Sequence, residues 1–187
     1  MPAAFSAKLI LPIRLTIPIE CVKIYKEGKK TPARGESFSE VAMSERNTIL
    51  IVDDYEFNRL LLSEMFPERD ILEAVDGAEG ITTYEKNRDK ICAVLTDIMM
   101  PRVDGLGLLD FFSKAKYITE VPVFVVSADS SNKVLTKAFQ LGVEDVITKP
   151  FNVNFVKKHI DHIIELYELR RVVEGMGGAD ITDDDFV

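Results

Sequence analysis

The chain has 187 residues, 47% of them hydrophobic, and a formal net charge of −8, which is room for one domain of ordinary size with extensions and a real core. Residues 1 to 46 hold eight Lys and Arg against five Glu, a net of +3, so the remainder carries −11. A domain this acidic is a poor binder of nucleic-acid phosphates, and no apolar run approaches the ~20 residues that a membrane-spanning helix needs.

Residues 1 to 46 do not read like the rest. Strand-like alternation from Leu9 to Ile24 is interrupted by Pro12 and Pro18, and the stretch from Lys26 to Ser44 has the Lys, Gly, Pro, Ser and Glu content of a linker. A poorly ordered N-terminal extension is expected. It is a poor match to a signal peptide, and Met43 reads as a natural start with a dispensable segment ahead of it. Cys21 and Cys92 lie far apart, and Cys92 opens an apolar run. A buried free thiol fits better than a disulfide or metal ligand, as expected of a cytoplasmic protein.

From Thr48 the pattern alternates strand and helix. Expected strands are Ile49 to Val52, Asp70 to Ala74, Ile91 to Thr96, Val121 to Val126 and Val143 to Thr148. Expected helices are Tyr55 to Phe66, Gly77 to Lys86, Leu106 to Lys116, Ser130 to Leu141 and Val153 to about Glu174. Strands and helices alternating through short connections imply an α/β fold, a doubly wound five-stranded parallel sheet. Such sheets place their ligands at the carboxyl ends of the strands. Just past those ends stand Asp53 and Asp54, Asp97, Ser127 and Ala128, and Lys149. Three acids, a hydroxyl and an ammonium make a site for a hard cation and a phosphoryl group.

The ordered set Asp53-Asp54, Asp97 followed by Met99-Met100-Pro101 and Asp104-Gly105, Ser127-Ala128, and Lys149-Pro150-Phe151 resembles the receiver domain of response regulators of two-component signalling, over residues 47 to 165. Residues 166 to 187 then form a helix extension and an acidic tail. The resemblance implies the flavodoxin-like strand order 2-1-3-4-5 and a cis Lys149–Pro150 peptide. It also implies a histidine kinase or histidine phosphotransfer protein as partner, and a chain that catalyses only its own phosphoryl transfer and dephosphorylation. An aromatic residue usually stands three before the Lys in such receivers and reports the active state. Here that position is Val146, which puts the usual readout in doubt.

Three carboxylates that repel must protonate or hold a cation, and oxygen ligands favour Mg²⁺ or Mn²⁺. Asp54 and Asp97 with the Met99 backbone carbonyl are the expected metal ligands, and Asp53 is expected to position a metal-bound water. Asp53 or Asp54 could instead cap the following helix. Asp97 is the expected phosphoacceptor, and Lys149, the Ser127 hydroxyl and the Ala128 N–H would meet the phosphoryl oxygens. In receivers, Met99 and Asp129 would flank the path of the hydrolytic water. Met99 offers no hydrogen bond there, so modest self-dephosphorylation is expected.

In the first helix, Leu61, Leu62, Met65 and Phe66 are expected to face the sheet. Phe57 and Leu60 then either cap the core or form a docking patch for a helical phosphodonor. In the last helix, Val153, Val156, Ile160, Ile163 and Tyr167 read as core. Leu166, Leu169 and Val173 make an offset stripe for a partner or a second copy, about two turns beyond the domain. His159 and His162 read as solvated surface. The alternatives to a phosphorylatable receiver are a Mg²⁺-dependent phosphohydrolase with an aspartate nucleophile, which would want an acid where Met99 stands, and an adaptor that works without phosphorylation.

Overall fold

A computed structural model describes residues 46–128 and 131–176. The extension before Arg46, Cys21, Asp129 and the acidic tail lie outside them.

Five parallel strands, β1 (Thr48–Val52), β2 (Asp70–Ala74), β3 (Ile91–Thr96), β4 (Val123–Ser127) and β5 (Asp145–Thr148), form one sheet in the order β2-β1-β3-β4-β5. Between and after them run α1 (Glu56–Glu64), α2 (Gly77–Asn87), α3 (Gly105–Lys114), α4 (Asn132–Gln140) and α5 (Val153–Met176), with a 3-10 turn at Tyr117–Thr119. Whereas the edge strands β2 and β5 carry Asp70, Glu73 and Asp145, the central strands β1, β3 and β4 are short, buried and almost wholly apolar because both faces are covered. Their period-two alternation divides the core. Leu50, Val52, Val94, Val123 and Val125 point to one layer with Tyr84, Leu108, Phe112 and Ala138 of α2, α3 and α4. Ile49, Ile51, Leu95, Phe124 and Val126 point to the other, with Leu62 of α1 and Val156, Ile160 and Ile164 of α5.

Element ends differ from the expected ones for local reasons. β4 starts at Val123, not Val121, because Pro122 has no N–H for the ladder, although its carbonyl still accepts from Val94 N at 3.0 Å. α3 stops at Lys114 because Lys116 takes a left-handed φ of 62°. α4 occupies Asn132–Gln140, and Gly142 turns the chain behind it at φ 94°, a conformation that favours glycine. α1 ends at Glu64, yet Met65 and Phe66 stay buried in the turn before Pro67.

Two apolar assignments are corrected. Leu61 does not join the face that packs on the sheet: it is 37% exposed, whereas Leu62, Met65 and Phe66 are buried. On α5 the buried positions are Val156, Ile160, Ile164 and Leu169, while Val153 is exposed. Leu169 is thus part of this chain's own packing and is unavailable to a partner. The body of the domain reaches further along α5 than the sheet alone suggests, since Tyr167 donates to Glu144 Oε2 at 2.9 Å. Of the offset stripe, Leu166 remains exposed, and the side chain of Val173 lies outside the described residues. No described helix is long and apolar enough to cross a membrane.

Candidate functional site

The sheet register brings the expected residues to one edge. Val52 is level with Thr96, and Thr96 with Val125. Asp97 N then donates to Val52 O at 2.8 Å, Asp53 N to Ala74 O at 3.1 Å, and Lys149 N to Ser127 O at 3.0 Å. The direction in which successive strands are added to the sheet reverses at β1 and β3, since β2 lies on one side of β1 and β3 on the other. That switch point leaves a crevice above the two strands.

Asp53 is the anchor. Its side chain is only 1% exposed and is satisfied on every side. Oδ1 accepts from Tyr55 N at 2.9 Å, Asn58 Nδ2 donates to both oxygens at 3.0 Å, and Lys149 Nζ reaches Oδ2 at 3.2 Å. The capping alternative for the acidic pair is met only loosely. Tyr55 is the N-cap of α1 and has no side-chain cap bond, whereas Asp53 holds the entry into the helix through the Tyr55 amide. Asp54 is exposed.

Asp97 is half-buried, and its Oδ2 accepts from Met99 N at 3.0 Å. Burial pushes its carboxyl above the ordinary carboxylate range. The Lys149 ammonium, the Met99 amide and the Ser127 hydroxyl pull it down, and the negative charge of Asp53 pushes it up again. These influences place the phosphoacceptor candidate within electrostatic reach of Asp53, Lys149 and Ser127. Ser127 is buried at the end of β4, and the Lys149–Pro150 peptide is cis.

The turn after Asp97 depends on one glycine. A Cβ on Gly105 would overlap the Asp97 carbonyl oxygen, and Gly105 N donates to Ile98 O at 3.0 Å. Asp104 caps α3 by accepting from Gly107 N at 2.7 Å.

Asn58 and Arg59 were not singled out by sequence. Asn58 supports Asp53 directly, and Arg59 Nη1 donates to Asp53 O at 2.9 Å while its Nε pairs with Glu73 at 2.7 Å. The available signal was spacing: the first turn of a helix that starts just past a strand end folds back over that end. His159 is not simply solvated. Its Nε2 lies 3.0 Å from Asp145 Oδ2, and its ring stacks on Phe155.

A hard divalent cation fits the donor chemistry. The donors are oxygens, and Asp53 and Asp97 repel one another across the site, with the Lys149 ammonium offsetting part of that repulsion. Among the described residues no three Asp, Glu, His or Cys side chains close into a metal cage. Mg²⁺ suits such an open set, since it keeps waters and uses one or two carboxylates with substrate oxygens.

Phe57 and Leu60 are 62% and 53% exposed on α1, so they do not cap the core. Elsewhere, a cleft of about 670 Å³ lined by Arg46, Arg88, Glu120 and Tyr167 lies among residues that precede strands β1, β3 and β4 and the far part of α5, away from this site.

Comparison with known proteins agrees with this arrangement. Residues 49–161 match the model of the response regulator receiver domain. The probable chemotaxis protein CheY of Rhizobium etli is 28% identical over 126 residues, 66% of this chain and 96% of that protein. The transcriptional regulatory protein RprY of Bacteroides fragilis is 29% identical over 126 residues, which covers 66% of this chain and 52% of that protein. A solved complex of CheX with CheY, BeF3 and Mg²⁺ from Borrelia burgdorferi includes a chain 26% identical to this one. It superposes with a TM-score of 0.58 over 63% of this chain and 88% of that one. With 49–161 matched and the strand order, acidic edge and cis Lys149–Pro150 peptide all in place, the chain belongs to the response regulator receiver domain family.

Proposed function

We propose that this chain accepts a phosphoryl group on Asp97 from a histidine kinase or histidine phosphotransfer protein, in a reaction that depends on Mg²⁺ or Mn²⁺, and that the modified form switches partner binding. The observation that carries this reading is geometric: Lys149 Nζ, from beyond β5, lies 3.2 Å from Oδ2 of Asp53 at the end of β1, and Asp97 follows the neighbouring β3, its N–H on Val52 O at 2.8 Å. An Asp97 carboxylate oxygen forms the new bond to phosphorus as the bond to the donor imidazole nitrogen breaks, and the imidazole leaves with the electron pair. Lys149 and the Ser127 hydroxyl meet the charge on the phosphoryl oxygens. Asp53, Asp54, Asp97 and the Met99 carbonyl would hold the cation, which when bound supplies further neutralisation of those oxygens. The chain acts on itself and does not turn over an external substrate, and it meets its donor in the cytoplasm. The donor's helix docks on Phe57 and Leu60, exposed on the helix that begins beside Asp53. A second copy is a further candidate partner, through Leu166 on α5.

Incubation with acetyl phosphate and Mg²⁺ followed by intact mass tests the chemistry. One added phosphoryl group on the wild type and none on Asp97→Ala is expected. Absence of labelling by acetyl phosphate and by any phosphohistidine protein would sink it.

A further inference from the structure

The turn between β3 and α3 holds Arg102 at φ 61°. In this left-handed region a Cβ crowds the following carbonyl, so glycine or asparagine is the ordinary occupant. Nothing local calls for an arginine there, and what holds it is tertiary. Its guanidinium pairs with Asp76 Oδ2, and the side chain of Asp76 is 0% exposed while that of Arg102 is 66% exposed. The contact is an ion pair without aligned hydrogen-bond geometry, and Oδ2 has no other donor among the described residues. Oδ1 is occupied by Glu79 N at 2.9 Å as the cap of α2. A buried carboxylate therefore relies on Arg102 for its counter-charge.

The next residue makes a second tie, since Gly77 N donates to Val103 O at 2.9 Å. Two successive residues of the turn are thus fastened to the start of α2, and Gly105 N to Ile98 O closes its base. The same turn carries Met99, whose N–H holds Asp97 Oδ2.

We propose that Arg102 is a positioning residue for the cation site: through its ion pair with buried Asp76 it fixes the turn from Ile98 to Asp104, and with it the Met99 carbonyl. This rests on the receiver chemistry proposed above. Arg102→Gly and Arg102→Asn both accept a left-handed backbone and remove the cation. Asp76→Asn keeps the cap on Glu79 N and removes the charge. On the full chain, Mg²⁺ binding without phosphodonor is measured by calorimetry, and labelling by acetyl phosphate is timed at saturating Mg²⁺.

The expected result is a Mg²⁺ Kd raised about 10-fold in both Arg102 variants, the scale seen when a residue that orients a metal ligand is lost. The saturating rate stays within about 2-fold, and Arg102→Gly with Asp76→Asn binds no more weakly than either single variant. Wild-type affinity in both Arg102 variants overturns the proposal, as do additive losses in the double variant. Loss of the circular dichroism signal in both Arg102 variants overturns it too, because the pair would then serve folding in general. A wild type that binds no Mg²⁺ and takes no phosphoryl group fails at the earlier step, and the receiver chemistry falls with it.

Discussion

Lys149 Nζ stands 3.2 Å from Asp53 Oδ2, where it neutralises an almost fully buried carboxylate. The ammonium thus occupies the electrostatic role that a divalent cation would take, and in the proposed transfer it would be shared with the phosphoryl oxygens.

Lys149→Ala should separate those two roles. Without the ammonium the acids repel more strongly and attract a cation more, so the Mg²⁺ Kd should fall. Removing a donor to the developing charge costs about 3 kcal/mol, or roughly 100-fold in rate, so labelling by acetyl phosphate should slow. Calorimetry and timed intact mass read the two effects, and a parallel loss of both would argue against the shared ammonium.

Burial raises the Asp97 carboxyl above its ordinary value of 3.8. A group whose folded value is raised stabilises the fold fully below the ordinary value, and that contribution is lost as pH rises through the raised one. Asp97→Asn keeps an acceptor for Met99 N and removes the buried charge. It should therefore melt higher than the wild type at pH 7 in the absence of Mg²⁺, by a few degrees, and the difference should shrink as pH falls through the raised value and level off below 3.8. Melting curves across that range decide it; an unchanged difference would mean that charge is not the cause.

Phe57→Ala with Leu60→Ala removes exposed apolar surface beside the site without touching the core. Stability should change by less than about 0.5 kcal/mol. Labelling by acetyl phosphate should persist, while transfer from a phosphohistidine protein should weaken at least about 10-fold, as expected when a docking anchor is cut away. Equal loss with both donors would place these residues in the chemistry instead.

Leu169 is 7% exposed and Leu166 is 42% exposed on the same helix. Leu169→Asp should destabilise the monomer by about 3 kcal/mol, since it buries an unpaired charge. Leu166→Asp should leave the denaturation midpoint nearly unchanged and weaken any self-association. Urea titration and sedimentation velocity report these separately. A strictly monomeric wild type in both phosphorylation states would remove the second copy.

The sequence by itself determined the alternation of elements and the residues beyond each strand end. Both follow from local chemistry: apolar runs of strand length, a helical period between them, and acids, Ser127 and Lys149 placed where the runs stop. Element ends were least legible where a proline or a left-handed residue intervened, as at Pro122 before β4 and Lys116 after α3, because such positions follow one backbone group and leave the periodic pattern intact. Only the tertiary structure decided which side chains support the site. Asn58 reaches Asp53 from the next helix, and Arg102 reaches Asp76 across a loop. The second pairing depends on how the turn after β3 lies against the start of α2, which no spacing along the chain encodes. The same holds for α5: Leu166 and Leu169 share one apolar stripe in sequence, and the folded chain buries Leu169 while leaving Leu166 outside.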